Sequence, residues 1–152
     1  MNYFIKNTVL GEVTIVEEKG FVTRLFFGAK KVTGNFFESP IINQAFNQLE
    51  EYLQGKRKDF TLPLNPVGTS FQQKVWSALY LIPYGHTITY KEIAERIGNS
   101  SAQRAVGLAN NKNPIPIFIP CHRVISSDGS LNGYSGGVEL KEKLLKIEQN
   151  RK

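Results

Sequence analysis

The chain has 152 residues with a formal net charge of +6, one cysteine and two histidines, enough length for one core or for two small domains. No run nears the roughly 18 apolar residues of a membrane span, and the start MNYFIKNTVLGE lacks the basic, apolar, then small-residue order of a signal peptide. The lone cysteine excludes an internal disulfide and, with so few histidines, disfavours a four-ligand zinc site, so the expectation is a cytoplasmic protein without metal.

Up to Gly68 there are eight Lys/Arg against seven Asp/Glu; from Thr69 onward there are eleven against six. Excess positive charge in one half raises the odds of a polyanionic partner, although solubility alone would also account for it.

In chain order, Glu12–Glu17 and Phe21–Phe27 are rich in β-branched and aromatic residues around the turn Glu18-Lys19-Gly20, which predicts an antiparallel hairpin. The period then changes between Asn35 and Gly55. Ser39 as N-cap and Pro40 in the first turn open a helix whose stripe is Ile41, Ile42, Ala45, Phe46, Leu49, Tyr52 and Leu53, stopped by Gly55. A short strand at Phe60–Leu64 precedes the linker Asn65-Pro66-Val67-Gly68. The domains expected are therefore 1–67 and 68–152.

The second half opens with Thr69-Ser70-Phe71-Gln72, a capping box, and an apolar stripe of Phe71, Val75, Trp76, Leu79 and Ile82. A second capping box, Thr89-Tyr90-Lys91-Glu92, starts a helix that Gly98 ends. A third helix is expected from near Ser101 through AQRAVGLANN. Helix, short glycine turn, helix is helix-turn-helix spacing, shared with many αα-hairpins that bind nothing. Two features of the third helix stand out. Arg104 lies in its first turn, where a cation opposes the macrodipole, and Gly107 sits mid-helix. With Ala102, Ala105 and Ala109, Gly107 leaves a face of little bulk, suited either to tight helix packing or to entering a narrow groove.

The stretch NPIPIFIP (Asn113 to Pro120) is too proline-rich for a helix, yet its isoleucines call for burial. It reads as a stiff connector that delivers Cys121. A last helix, Glu139–Gln149, should turn Leu140, Leu144, Leu145 and Ile147 inward.

A free cysteine is more often a buried hydrophobe than a nucleophile. Against that, His122 and Arg123 follow Cys121, and a nearby cation or imidazole raises the thiolate fraction. Glu148 is a candidate to orient the imidazole. The residues alone leave both readings open.

The motifs NPIPIFIPCHRVI, GYSGG (Gly133 to Gly137) and KEKLLKIE (Lys141 to Glu148), with PYGHTITYKEIA and AQRAVGLANNKNP upstream, resemble the O6-alkylguanine-DNA alkyltransferase family over the second half of the chain. The resemblance implies an α+β protein: a small N-terminal antiparallel-sheet domain, RNase H-like, followed by a winged helix-turn-helix domain. It implies DNA repair by a protein that enters the minor groove of double-stranded DNA and flips an O6-alkylguanine into a pocket. The alkyl group then passes once, and irreversibly, to Cys121; O4-alkylthymine is a further substrate the family suggests.

By that resemblance His122 activates Cys121 through a water, oriented by Glu148. Tyr90 donates to the guanine ring, and Asn113 braces the turn into the active-site loop. Arg104 fills the gap in the duplex, with Ala102, Gln103, Ala105 and Gly107 on the groove-facing surface. Tyr134 and Ser135 line the base pocket. The resemblance implies a monomer without cofactor. Its demand is a sulfur held, ionisable, at the floor of a cavity that admits a purine. Two rivals remain from other classes: a DNA-binding regulator or lesion sensor with an inert Cys121, and a Cys-His hydrolase.

Overall fold

The computed structural model describes residues 1–131, 134 and 136–149. The chain divides into two compact units, Met1–Val67 and Gly68–Lys152.

In the first unit, strands β1 (Asn2–Thr8), β2 (Gly11–Glu18), β3 (Phe21–Phe27) and β4 (Asn35–Phe36) form one sheet in the order β3-β2-β1-β4. The β2–β3 hairpin lies where the β-branched pattern placed it. Lys19 and Gly20 both have positive φ, 55° and 86°, the backbone of a primed two-residue turn that matches strand twist. The Glu17 carboxylate accepts from the Gly20 N–H at 2.8 Å and holds that turn.

The sheet is mixed rather than antiparallel throughout, because β4 runs parallel to β1. Asn35–Phe36 thus forms a short strand ahead of the helix, one the sequence reading did not include. Helix α1 (Pro40–Leu53) begins where the Ser39 hydroxyl accepts from the Ile42 N–H at 3.3 Å. It lays Ile42, Ala45, Phe46, Leu49, Tyr52 and Leu53 on the sheet. The expected strand at Phe60–Leu64 reduces to one bridge between Leu64 and Val22. Pro63 has no N–H to extend a ladder, and the Gln48 amide instead ties Thr61 to α1 through two hydrogen bonds of 2.8 and 2.9 Å.

The second unit contains α2 (Ser70–Tyr80), β5 (Ile88–Thr89), α3 (Tyr90–Arg96), α4 (Gln103–Asn111), a one-turn 3₁₀ helix (Cys121–Arg123), β6 (Val124–Ile125) and α5 (Val138–Gln149). Both capping boxes form, Thr69 with Gln72 and Thr89 with Glu92, so α2 and α3 start where the sequence predicts. A side chain at Gly68 would collide with the Trp76 ring, which explains glycine just before α2. Helix α4 starts at Gln103, two residues later than expected, because Ser101 lies in a turn closed by the Ala102 N–H on the Asn99 carbonyl.

Strands β5 and β6 pair in parallel, Ile88 with Val124 and Thr89 with Ile125. This short ladder joins the start of α3 to the turn that carries Cys121. Helix α5 differs most from expectation. Its buried residues are Lys141, Leu144 and Glu148, while Leu140, Leu145 and Ile147 are only half-buried. Two of the three inward positions carry charge, and only a polar interior site justifies that. Among the described residues no helix is long and apolar enough to cross a membrane.

Candidate active site

Helix α4 hands the chain to Asn113, whose side chain bridges the connector. Its Oδ1 accepts from the Ile115 N–H at 3.0 Å and its Nδ2 donates to the Ile119 carbonyl at 2.8 Å. Between them Ile117 adopts φ +74°, a left-handed backbone that costs a β-branched residue about 1–3 kcal/mol. Burial of Ile115, Ile117, Phe118 and Ile119 holds it there. The connector is thus stiff through packing and one bridging amide, and it ends in the 3₁₀ turn at Cys121.

The Cys121 thiol is 1% exposed. Burial pushes its pKa up to about 11, against the pull of a hydrogen bond from Asn113, the charge of Lys141 and a hydrogen bond with Tyr134. His122 and Arg123 were expected to raise the thiolate fraction, but in the resting chain burial prevails and the sulfur keeps its proton. The groups that favour the anion are Asn113, Lys141 and Tyr134. Tyr90, at the start of α3, is also held above its usual pKa, first by burial and then by the charge Cys121 would carry, which places its ring within electrostatic reach of the sulfur.

His122 is fully buried, with Nε2 2.7 Å from Oε2 of Glu148. Burial lowers its pKa even though the Glu148 hydrogen bond and charge work the other way. A neutral imidazole meeting a carboxylate through Nε2 carries its proton there, leaving Nδ1 as the basic nitrogen. Glu148 is clamped: Arg123 donates from Nε and Nη2 at 3.0 and 2.9 Å, and the Gly85 N–H reaches Oε1 at 3.0 Å. Burial alone would raise its pKa, but the hydrogen bonds from His122 and Arg123 outweigh it and hold Glu148 at about 2. The Arg123 guanidinium also donates from Nη1 to the Ile82 carbonyl at 2.6 Å. Arg123 therefore serves the carboxylate, not the sulfur.

The structure brings Cys121, His122, Glu148, Tyr90, Asn113 and Tyr134 together. Tyr134 is buried, 6% exposed, against the thiol; Ser135 lies outside the described residues. The other predicted residues form a separate surface. Gln103, Arg104 and Ala105 are exposed on α4, and Ala102 and Gly107 are half-buried beside them. A Cβ at Gly107 would meet nothing within 4 Å, so packing inside this chain does not require the glycine. Ala109 does not belong to that surface. It is buried, and its carbonyl accepts the Trp76 indole N–H at 2.9 Å.

Sequence reasoning missed Lys141 and the Gly85 N–H. A signal existed for the lysine, since Lys141, Leu144 and Glu148 stand at i, i+3 and i+7 on one helical face. The arrangement is a buried thiol, the neutral imidazole of the next residue and an ionised carboxylate that orients that imidazole, the components of a sulfur nucleophile.

Residues 70–150 match the family model described as 6-O-methylguanine DNA methyltransferase, DNA binding domain, and residues 1–66 match its ribonuclease-like domain. A relative from Methanosarcina barkeri named methylated-DNA–protein-cysteine methyltransferase is 50% identical over 155 residues, covering 99% of this chain and 98% of its own. One from Bacillus subtilis, the constitutive methylated-DNA–protein-cysteine methyltransferase, is 47% identical over 98% of this chain and 96% of its own. The crystal structure of Mycobacterium tuberculosis OGT in complex with DNA superposes with a TM-score of 0.92 at 41% identity, covering 99% of this chain and 94% of that one.

Proposed function

The chain belongs to the 6-O-methylguanine DNA methyltransferase family, and from that premise we propose that it repairs double-stranded DNA by moving the alkyl group of an O6-alkylguanine onto its own Cys121. The observation that carries this reading is the buried constellation of Cys121, His122 and Glu148 in a chain with a single cysteine.

Chemically, the Cys121 S–H proton passes through a water to Nδ1 of His122, and the Glu148 carboxylate stabilises the imidazolium that results. The thiolate sulfur attacks the alkyl carbon, a C–S bond forms and the C–O bond to guanine O6 breaks. Tyr90 donates to the base as negative charge develops on it. The pKa of about 11 means that sulfur and imidazole must exchange the proton at the moment of reaction, because a standing thiolate is scarce. A thioether is not cleaved under ordinary conditions, so each molecule acts once.

For binding, α4 is the element that enters the minor groove. Exposed Arg104 occupies the gap the extruded base leaves, and Ala102, Gln103, Ala105 and Gly107 face the groove. Asn113 holds the sulfur-bearing turn in register with α4, while Tyr134 lines the base pocket. The reduced lone thiol suits a cytoplasmic protein.

The test is intact-mass analysis after incubation with duplex bearing one O6-methylguanine. The protein is expected to gain one methylene, located on the peptide with Cys121, with repaired guanine equal in amount to modified protein. Repeated turnover or an unmodified protein would refute the reading; the first outcome favours a hydrolase and the second a lesion sensor.

Gly107→Ala separates the two constraints on α4. With open space around the position, the exchange should stabilise the free protein by about 1 kcal/mol through helix propensity. It should also weaken binding to duplex DNA, where the added methyl meets the groove. Thermal melts and fluorescence anisotropy measure the two effects, which are expected to carry opposite signs.

A further inference from the structure

The mechanism above leaves one buried ionisable group unused. Lys141 is 0% exposed, and its ammonium donates to the Val124 carbonyl at 2.5 Å. Among the described residues no carboxylate pairs with it. Glu148, two turns further along the same face of α5, is already taken by Arg123 and His122. An ammonium without a counter-ion is among the most expensive things a protein can bury. Placing one on the inner stripe of α5, where a leucine would fit, calls for a compensating anion.

Among the described residues, the buried groups around the turn supply only one candidate. Glu148 and Arg123 cancel, His122 is neutral in the resting state, and Tyr90, Tyr134 and Tyr84 are uncharged. Lys141 therefore leaves the cluster with an excess positive charge while Cys121 is a thiol. The charges balance when the sulfur is an anion and its proton has left the cluster through His122, and before that the thiolate already gives the lysine the anion it lacks. We propose that Lys141 is the counter-charge of the Cys121 thiolate, a positioning residue held on the Val124 carbonyl that favours ionisation of the sulfur and so sets the pH at which the nucleophile becomes available.

The electrostatics run both ways, as reciprocity requires. The Lys141 charge pulls the thiol pKa down, third in size behind the rise from burial and the pull of Asn113, and an ionised Cys121 favours the charged lysine against its own desolvation. The groups that act on the sulfur are Asn113 from the connector, Tyr90 from α3, Tyr134 from the segment after β6 and Lys141 from α5, while His122, Arg123 and Glu148 are engaged with one another. Of these only Lys141 carries a full positive charge not already committed to a carboxylate.

The proposal rests on Cys121 being the acceptor, but its test does not need DNA. Lys141→Met keeps the aliphatic stem and removes the charge, a change expected to leave the melting temperature unchanged or higher. The rate of Cys121 carboxymethylation by iodoacetamide, followed by intact mass against pH, reports the thiol titration. Its midpoint should move upward by about one unit, so that reactivity at neutral pH falls about tenfold while the rate at high pH returns to the wild-type plateau. Transfer from O6-methylguanine DNA should fall by the same factor at neutral pH.

An unmoved midpoint, or a loss of rate equal at every pH, would overturn the proposal and make Lys141 a packing residue. Should the variant not fold, the wild-type protein still decides. The Lys141 Nζ NMR signal should titrate with the same midpoint as the thiol and lose that step in Cys121→Ser, and a signal blind to Cys121 ionisation refutes the coupling. If the titration behaves as expected but wild-type protein takes no alkyl group from DNA, the repair reading fails and the Lys141 inference stands.

Discussion

Cys121→Ser should abolish alkyl transfer, leaving no added mass on the protein after incubation with O6-methylguanine duplex. Serine is close to isosteric and can accept the same contacts from Asn113 and Tyr134, so the fold should survive. The loss is chemical. A hydroxyl is far less acidic than a thiol, and an interior that pushes even a thiol to about 11 leaves an alkoxide beyond the reach of a neutral imidazole. Affinity for the duplex should stay within about twofold, because the proposed binding surface on α4, with Arg104, is separate from the sulfur, and phosphate contacts generally supply most of such affinity. Transfer that persisted in this variant, onto any residue, would show that the acceptor has been misassigned.

Glu148→Gln should be the most damaging change outside the nucleophile. Glutamine fills the same space but cannot balance Arg123, which is 6% exposed, and removing one partner of a buried ion pair costs about 3–5 kcal/mol. It also leaves no anion to stabilise protonated His122, so transfer should fall by roughly 10² or more. Chemical denaturation and single-turnover kinetics measure these losses. An intact transfer rate in the folded variant would remove Glu148 from the mechanism.

The wild-type pH profile follows from the same carboxylate. Its folded pKa of about 2 lies below the ordinary 4.5, so its contribution is fully present above pH 4.5 and is lost as the pH falls toward 2. A depression of that size corresponds to about 3 kcal/mol. Buried His122, whose pKa is lowered from 6.5, acts in the same direction, since below that value the unfolded chain takes up a proton that the native one resists. Stability should therefore fall on acidification, and Glu148→Gln should lose the part of the slope that lies below pH 4.5.

Much of this was legible in the linear chain, where the signal is local. Capping boxes at Thr69 and Thr89, Ser39-Pro40 at the head of α1 and the β-branched runs of the hairpin each place an element through contacts within a few residues, and those starts agree with the structure. The motif around Cys121 was equally plain. The readings that failed depended on contacts distant in sequence. Nothing near Asn35 reveals that it pairs with β1, and nothing near Phe60 shows that Gln48 will take the place of a ladder.

The site divides along the same line. Residue types make Cys121, His122 and Glu148 candidates and leave their reactivity open; the resemblance of the surrounding motifs to one family is what links them to one chemistry. Only the tertiary structure decides how charge is distributed among them. Folding turns Arg123 onto Glu148 and brings the inner face of α5 against the turn, with Lys141 on the Val124 carbonyl and within electrostatic reach of the sulfur. Burial strength and through-space charge depend on three-dimensional distance, and a sequence specifies the groups that interact without stating which will be near.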